Sequence, residues 1–299
     1  MNIAILSRSG TLYSTSSLAK AALKRGHHVR IVDHTYCDLF ITKNTFEVFY
    51  FDKPVRNIDA VIPRIGASVT QYGAAIIRQF EMQNVYSVLS SRALLTSRDK
   101  LVTLQVLSAQ GIDVPRTLLA SHAQSLAFLY SKLGSKQAVV KLLMSTQGMG
   151  VLLAEDRPSA MSISEALIRV GKSFVVQEFI KESGGRDIRA FVVGDKVVAA
   201  MERVAVKGEF RSNIHLGASS NSIELTEQER NIALRCTKIL GLKVAGVDIL
   251  RSNRGPLVLE VNASPGLEGI ETTTGVDVAG AIVDYIVEKV MEEKALSKD

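Results

Sequence analysis

Two carboxylates and one amide near the end of the chain have the residue types of a cation site. Asp248 lies in the segment AGVDIL, and Glu260 and Asn262 stand two residues apart in LVLEVN. A turn at residues 253–255 would join these segments as an antiparallel hairpin, and period-2 geometry places Glu260 and Asn262 on one face. A solvated sheet face explains one such residue better than three among apolar neighbours. Oxygen-only donors favour Mg²⁺ or Mn²⁺, completed by substrate phosphates.

Two lysines and a glycine loop have the chemistry of a phosphate site. Lys141 interrupts the apolar run VVKLL, and Lys100 begins a predicted helix, where backbone N–H groups also attract anions. Gly148 and Gly150 follow Lys141 and allow close backbone approach to phosphates. A snorkelling surface lysine remains an alternative for Lys100, and a tight hairpin remains one for the loop. The loop lacks GK[ST] and leads into a strand, which excludes a P-loop.

Further candidates for nucleotide contacts lie between these two groups. Glu178 and Phe179 end an apolar strand and would offer backbone hydrogen bonds to adenine, while Asp187 would bind a ribose. Arg211 and Asn213, in the basic loop that follows, would hold a transferring γ-phosphoryl group. Ordinary turn residues and a solvated basic loop are the competing interpretations.

The elements that position these residues change character along the chain. Alternation of strand and helix over the first ninety or so residues predicts a parallel sheet with crossover helices. The loop after the first strand lacks GxGxxG, so a dinucleotide fold is disfavoured. In this part we predict strands at 3–6, 28–32 and 59–62, and helices at 14–25 and 72–82.

The rest of the chain mixes helices with hairpins, so the fold class is α/β with α+β character in the C-terminal half. A capping box at Thr226 and Glu229 begins one of the helices. The predicted helices are 99–110, 123–133, 226–240 and one from about 276. The predicted strands are 117–120, 138–143, 151–153, 174–180, 187–193, 196–203, 247–250 and 257–261.

Bulk properties favour a cytoplasmic enzyme with anionic ligands. The 299 residues carry 36 Lys and Arg against 30 Asp and Glu, a formal net charge of +6, which favours anionic partners. Basic residues are scattered and Trp is absent, so we expect no direct nucleic-acid recognition. Two distant cysteines without metal spacing are expected to be reduced thiols. We expect neither a signal peptide nor a membrane span.

In their order along the chain, these motifs resemble those of the ATP-grasp enzymes. The segments DAVIPRIG, RDIRAFVVG, FRSNIHLG and AGVDILRSNRGPLVLEVNASPGLEGIE narrow the resemblance to the ribosomal-protein glutamate ligases, the RimK-type family. It spans nearly the whole chain. The resemblance implies an N-terminal Rossmann-like domain at 1–96, a central lid at 97–180 and a C-terminal metal-bearing part at 181–299.

The resemblance also implies a ligand set and a reaction. ATP would contact the two lysines, the glycine loop and further positions matched to the family. Two Mg²⁺ or Mn²⁺ ions would bind the triad of Asp248, Glu260 and Asn262. Glutamate would be added to the C-terminus of a small-subunit ribosomal protein through an acyl phosphate, with poly-α-glutamate synthesis as a further activity. We expect a homo-oligomer. The ATP positions matched to the family are Lys141, Glu178, Phe179, Asp187, Arg211, Ser212 and Asn213.

One departure from a neighbouring family concerns the oxyanion. D-alanine–D-alanine ligases carry an arginine two positions before the metal Asp, where this chain has Gly246. We therefore predict that Arg203 supplies this charge. Arg64 and the loop at 264–266 are candidates for binding substrate carboxylates. Two alternatives stay open: a same-fold ligase acting on a small molecule or a carrier protein, and a non-catalytic ATP-binding protein.

Overall fold

The computed structural model describes residues 1–143, 150–212 and 217–296. The N-terminal part contains a parallel sheet with strand order β2-β1-β6-β7 and a small antiparallel sheet with order β3-β4-β5. A helix connects the parallel strands β1 and β2, as the strand–helix alternation predicted. Its elements are β1 (Asn2–Leu6), α1 (Tyr13–Lys24), β2 (His28–Val32), β3 (Cys37–Thr42), β4 (Thr45–Tyr50), β5 (Lys53–Pro54), β6 (Ala60–Pro63), α2 (Thr70–Met82), β7 (Tyr86–Ser87) and α3 (Ser91–Arg98).

The central part folds around a second sheet, with strand order β10-β9-β11-β8. Strand β9 pairs antiparallel with both of its neighbours, which places Lys141 opposite Val151 and Val175. The elements are α4 (Lys100–Ala109), β8 (Thr117–Leu118), α5 (Ala123–Leu133), β9 (Ala138–Leu142), β10 (Val151–Ala154), α6 (Arg157–Arg169) and β11 (Phe174–Glu178).

The C-terminal part is an antiparallel sheet with strand order β14-β13-β12-β15-β16 and helices packed on it. The predicted capping box is present, since Thr226 Oγ1 accepts from the Glu229 N–H and the Glu229 carboxylate accepts from the Thr226 N–H. The elements are β12 (Arg186–Val193), β13 (Lys196–Val204), β14 (Ser219–Ser222), α7 (Glu227–Leu240), β15 (Val244–Ser252), β16 (Gly255–Asn262), α8 (Glu268–Thr274) and α9 (Val278–Leu296).

Apolar packing divides the described residues differently from the sheets. One buried cluster joins Leu6 and Ile77 of the N-terminal part to Val247 of the C-terminal sheet. A second cluster joins Leu18 to Ile282 of α9. A third lies entirely in the central part. The division at 1–96, 97–180 and 181–299 remains a prediction, although each of the four sheets described above lies inside one of these ranges.

The sequence reading missed several elements. The hairpin of β3 and β4 has a detectable signal, because segments rich in β-branched and aromatic residues stand on both sides of the two-residue turn Lys43-Asn44. In the structure, Asn44 takes a left-handed φ of 61°. Helices α3, α6 and α8 were also not predicted. In the described part of the chain, none of the helices is long and apolar enough to span a bilayer.

Candidate active site

The β15–β16 hairpin brings the predicted cation ligands together. Asp248 lies directly opposite Glu260, and Asn262 lies opposite Gly246, one position along the same face. The Asn262 amide nitrogen is 3.4 Å from Asp248 Oδ2. Asp248 is only 4% exposed, whereas Glu260 is exposed to solvent. The hairpin geometry inferred from the turn at 253–255 is therefore confirmed.

The oxygen donors of this hairpin fit a hard divalent cation. Two carboxylates and an amide lie side by side on one sheet face, and one of the carboxylates is open to an approaching ligand. Among the described residues, no group of three or more His, Cys, Asp and Glu side chains is arranged to hold a metal ion. A mixed carboxylate and amide set, completed by substrate phosphates, is the arrangement expected for Mg²⁺.

Two arginines approach Asp248 from the neighbouring strands. Arg189 on β12 binds it in a bidentate manner, with Nε 2.8 Å from Oδ1 and Nη2 2.7 Å from Oδ2. Arg203 on β13 places Nη2 2.9 Å from Asp248 Oδ2. Burial by itself would raise the pKa of Asp248, but the two guanidiniums outweigh burial and hold that pKa below its ordinary value.

Arg203 belongs to a second ion pair as well. Its Nε and Nη2 atoms each lie 2.6 Å from a carboxylate oxygen of Asp187, and the pair is buried. Burial opposes the charged guanidinium, yet Asp248 and Asp187 together raise the pKa of Arg203. The predicted ribose ligand Asp187 is thus held by the predicted oxyanion residue, and binding a ribose would require a change at this pair.

The sequence reading missed Arg189. A Cβ atom at Gly246 would lie 3.5 Å from Arg189 Nε and 3.1 Å from Pro265 Cβ, so the Arg189 side chain covers the glycine that stands where D-alanine–D-alanine ligases have an arginine. A signal existed, because Asp187 and Arg189 are two apart on a predicted strand and must share a face. Arg189 supplies positive charge at this place from the adjacent strand.

Lys141 connects the central part to the same face. Desolvation lowers the pKa of Lys141 to about 8, with Glu260 opposing this shift, Lys100 adding to it, and Asp187 and Asp248 opposing it. These electrostatic influences show that the ammonium group lies near the carboxylates of the C-terminal sheet. Lys100 is the first residue of α4, directly after the Asp99 cap. The structure therefore brings Lys141 near the carboxylates of Asp248 and Glu260, and Lys100 near Lys141.

The predicted adenine contacts are engaged within the protein. The Glu178 N–H donates to the Arg116 carbonyl, and the Phe179 N–H donates to that of Gln137. The Glu178 carboxylate accepts from the Arg116 N–H at 2.6 Å and pairs with the Arg254 guanidinium. Adenine recognition by backbone donors at these two positions would compete with existing hydrogen bonds.

The remaining predicted residues lie in or beside the loops. Arg211 pairs with the Glu209 carboxylate at 2.6 Å and lies over the Phe210 ring. Ser212 interacts through its side chain with Asp187. Gly150 adopts a φ of 68°, and its carbonyl accepts from the Leu142 N–H. Two of the predicted residues, Gly148 and Asn213, lie outside the described residues.

Comparison with known proteins shows the family of this chain. Residues 97–286 match the family described as the RimK-like ATP-grasp domain, and residues 1–94 match the RimK pre-ATP-grasp domain. A probable alpha-L-glutamate ligase of Vibrio cholerae is 51% identical over 298 residues, covering 100% of this chain and 97% of the relative. A protein of the same description from Aliivibrio salmonicida is 53% identical over 286 residues, covering 96% and 95%.

Solved structures share the fold at low sequence identity. The ATP-grasp ligase PsnB, complexed with its minimal precursor, has a TM-score of 0.76 at 20% identity, covering 96% of this chain and 98% of that one. A RimK domain protein from Sphaerobacter thermophilus has a TM-score of 0.71 at 21% identity, covering 95% and 99%. The ATP-grasp fold expected from the motifs is confirmed. This chain belongs to the RimK-like ATP-grasp family and is an ATP-grasp ligase.

Proposed function

We propose that this ligase uses Mg²⁺ATP to join the amine of L-glutamate to a carboxylate through an acyl phosphate. The relatives that are named probable alpha-L-glutamate ligases support the choice of amino acid. The observation that carries the proposal is the opposition of Asp248 and Glu260 on one hairpin, with Lys141 of the central part near them. An ion-and-phosphate site between two parts of a chain is what phosphoryl transfer requires.

Asp248, Glu260 and Asn262 would hold the metal. A bound Mg²⁺ supplies charge neutralisation between the phosphates of the nucleotide. Use of Mn²⁺ instead and the presence of a second ion belong to the same proposal. Because Asp248 already contacts Arg189 and Arg203, the exposed Glu260 is the ligand with the least rearrangement to make.

The nucleotide would lie between the central part and the C-terminal sheet. Lys100 and Lys141 would bind phosphate oxygens as point charges, and the loop with Gly148 and Gly150 would add backbone N–H groups. Arg211, released from Glu209, would hold the γ-phosphoryl group. The other proposed ATP contacts are Glu178, Phe179, Asp187, Ser212 and Asn213.

Positive charge beside the metal face would stabilise the reacting carboxylates. Arg189 and Arg203 are held in fixed orientation by bidentate bonds to Asp248 and Asp187. Donors fixed before the reaction stabilise developing negative charge without a reorganisation cost. These two side chains would therefore orient the acyl group and the tetrahedral oxyanion while the glutamate amine attacks.

The first prediction concerns Glu260 and Asp248. Glu260→Gln should lower glutamate-dependent ADP release by about 100-fold or more, because a ligand to the charge-neutralising ion is lost. Glu260 is exposed, so the thermal midpoint should hardly change. Asp248→Asn should be equally inactive but also less stable, because it leaves two arginines short of a buried carboxylate.

ADP release by a coupled assay and unfolding by circular dichroism measure the two effects. Glu224→Gln is the matched control, since Glu224 is also an exposed carboxylate but lies on a loop before α7. Full turnover by Glu260→Gln at ordinary Mg²⁺ concentrations would remove the metal assignment. Equal losses in Glu224→Gln would show a general effect of charge.

The identity of the acceptor is a more specific part of the proposal. From the family resemblance, we propose the C-terminus of a small-subunit ribosomal protein, with poly-α-glutamate synthesis as a second activity, in a cytoplasmic homo-oligomer. Intact-mass measurement of small-subunit proteins incubated with enzyme, ATP and glutamate tests the acceptor, since each glutamate adds a fixed mass. If glutamate polymers form but no ribosomal protein gains mass, only poly-α-glutamate synthesis would remain as the proposed activity.

A further inference from the structure

Resting on the proposed ligase activity, we propose that the carboxyl edge of the N-terminal sheet binds the carboxylates of the incoming amino acid. Arg64 and Arg98 form the site, which selects a dicarboxylic amino acid. Both residues lie outside the triad and outside the nucleotide contacts described above. The role is substrate selection, separate from phosphoryl transfer.

The position follows from the strand order of the N-terminal sheet. The chain runs from β1 to β2 on one side and then crosses to β6 on the other side of β1. This reversal makes the gap between the carboxyl ends of β1 and β6 a topological switch point, where open α/β sheets bind ligands. Arg8 is the second residue beyond the carboxyl end of β1, and Arg64 is the first residue after β6.

The two guanidiniums have carbonyl partners but no carboxylate. Arg64 Nη2 donates to the Pro265 carbonyl at 2.8 Å, and Arg98 Nη2 donates to the Ile65 carbonyl at 2.7 Å. Both side chains are half-buried. Among the described residues, neither forms an ion pair within 4.0 Å. Each guanidinium carries five N–H donors, so most of them are available to a ligand.

The pKa shifts of this pair agree with the lack of a carboxylate in contact with either guanidinium. Burial lowers the pKa of Arg64 to about 10, and the positive charge of Arg98 contributes to the shift. Burial also lowers the pKa of Arg98, against the opposing effect of Glu260. By contrast, Arg189, Arg203 and Arg254 each pair with a buried carboxylate. Two neighbouring desolvated cations without an anion are costly unless a ligand supplies the charge.

The site lies within reach of the reacting groups. Pro265, which holds Arg64, is three residues beyond Asn262, a span of at most about 11 Å along the chain. Arg98 also lies close enough to Glu260 for the two charges to influence each other. The Ser264 hydroxyl is buried without a hydrogen-bond partner among the described atoms, so a further polar group is available in this loop. An amino acid held here by its carboxylates can present its amine to the metal face.

Two guanidiniums match the chemistry of glutamate. Arginine forks bind carboxylates with paired, charge-assisted hydrogen bonds. Glutamate has two carboxylates besides the reacting amine, whereas glutamine replaces one of them with a neutral amide. A site with two unpaired guanidiniums therefore prefers the dicarboxylate, and the preference depends on these two residues.

The test compares Arg64→Gln and Arg98→Gln with the wild-type enzyme. We expect KM for glutamate to rise ~10- to 100-fold in each variant, the effect of losing a charge-assisted hydrogen bond. KM for ATP should stay within about twofold. The preference for glutamate over glutamine should fall by a similar factor, and Arg64→Lys should recover part of it because the charge remains while the fork is lost.

Arg92→Gln is the matched control, because Arg92 is an exposed arginine on the same helix, α3. It should leave both KM values and the amino-acid preference unchanged. A rise in KM for the acceptor with an unaltered KM for glutamate would overturn the proposal. So would a lower thermal midpoint with an unaltered glutamate preference, which would show that Arg64 only holds the loop at Pro265.

Direct binding separates this proposal from the proposed reaction. Calorimetric titration with glutamate, glutamine and aspartate measures selection by the protein without turnover. Tighter binding of glutamate than glutamine, lost in Arg64→Gln, supports the site even if no ligase activity with glutamate is found. Equal binding of glutamate and glutamine by the wild-type protein refutes it even if the ligase reaction is confirmed.

Discussion

At the residue scale, the positive and negative side chains of the candidate site are balanced in number. Arg189 and Arg203 face Asp248 and Asp187, so two cations and two carboxylates neutralise each other in a mostly buried network. Removing one member of such a network leaves another buried charge uncompensated. Glu260 and Lys141 lie at the edge of this network and are the groups with charge left for an ion and a phosphate.

Lys141 provides a pH-dependent prediction at this scale. Its pKa of about 8 means that the ammonium loses its proton as pH rises through 8. Because phosphate binding needs the protonated form, we expect ATP affinity to fall by up to about tenfold per pH unit above pH 8. Lys141→Met should bind ATP more weakly at pH 7 and should lose this pH dependence. Calorimetric titration with ATP and Mg²⁺ between pH 7 and 9.5 measures both effects.

The same residue affects stability with a defined sign. The folded protein holds the Lys141 proton less tightly than the unfolded chain, so this lysine destabilises the fold below pH 8 and the penalty is relieved as pH rises from 8 toward 10.5. Lys141→Met should therefore be more stable than the wild type at pH 7. Lys172→Met, at an exposed lysine of the same central part, should alter neither property. A wild-type affinity that is flat to pH 9.5 would contradict the assignment.

Residue types and spacing predicted that the proposed cation ligands lie together, because a strand fixes which side chains share a face. Asp248, Glu260 and Asn262 follow from alternation and one turn. The hydrogen-bond partners of these side chains could not be predicted in this way, because they depend on which strands are neighbours in the sheet. Arg189 meets Asp248 across the β12–β15 pairing, and Arg254 meets Glu178 across two sheets. Sequence spacing carries no direct information on such long-range pairs.

At the element scale, the β15–β16 turn is linked to the last strand of the central sheet. Arg254, in that turn, binds the Glu178 carboxylate at the end of β11 through both terminal nitrogens. Glu178 is buried, while the Arg254 side chain is 40% exposed. The hairpin that carries the proposed cation ligands is therefore linked to the sheet that carries Lys141 by the Arg254–Glu178 ion pair.

The Arg254→Gln variant tests this link. Loss of the guanidinium leaves the buried Glu178 carboxylate with the Arg116 N–H as a donor and the Arg116 guanidinium 3.8 Å away, and we expect a cost of ~1–3 kcal/mol. The effect should be local, so hydrogen exchange should accelerate in β8 and β11 more than in β12 and β15. Hydrogen exchange with mass spectrometry and urea unfolding measure these two quantities.

Arg186→Gln is the control for Arg254. Arg186 also pairs with a glutamate, Glu202, but its side chain is 58% exposed and the two groups are 3.3 Å apart. Such a surface pair contributes ~0–1 kcal/mol. If both substitutions cost the same, the link between turn and central sheet has no special role.

Elements with strong local signals were predicted best. Helix α5 and the Thr226 capping box follow from periodicity and cap chemistry, and the structure confirms them. Helix α6 was missed although Asp156 caps it and Pro158 lies in its first turn, a signal that a search for caps would detect. Strands β5 and β7, which were not predicted, are only two residues long, and they form by pairing with neighbouring strands rather than from a periodic pattern. The predicted strand at 117–120 is present as β8, which is also two residues long.

At the scale of the whole molecule, the buried apolar clusters of the described residues separate most of the central part from the rest. The two larger clusters both join the N-terminal part to the C-terminal sheet. The segment from β8 to β11 keeps its own cluster, with Leu126, Val140 and Phe174 among its members, whereas Leu107 of α4 packs in the first of the larger clusters. Cooperative units of stability follow such packing. The segment from β8 to β11 should therefore open as a unit while α4 and the remainder of the chain stay folded.

Leu126→Ala tests this separation. Leu126 is fully buried in the central cluster, so its truncation should cost ~2–5 kcal/mol. If the central part is a separate unit, exchange should accelerate at β9 and β11, while β1, β6 and β15 keep wild-type protection. ADP release should fall as well, because the central part positions Lys141. Hydrogen exchange with mass spectrometry resolves these segments.

Leu18→Ala is the reciprocal variant, because Leu18 is equally buried but packs in the cluster that joins α1 to α9. It should accelerate exchange in both the N-terminal and C-terminal parts and leave β9 and β11 nearly unaffected. Each truncation thus measures the stability of one group of apolar clusters only. Uniform acceleration along the chain in both variants would mean that the three apolar clusters unfold together, which would contradict the predicted separation.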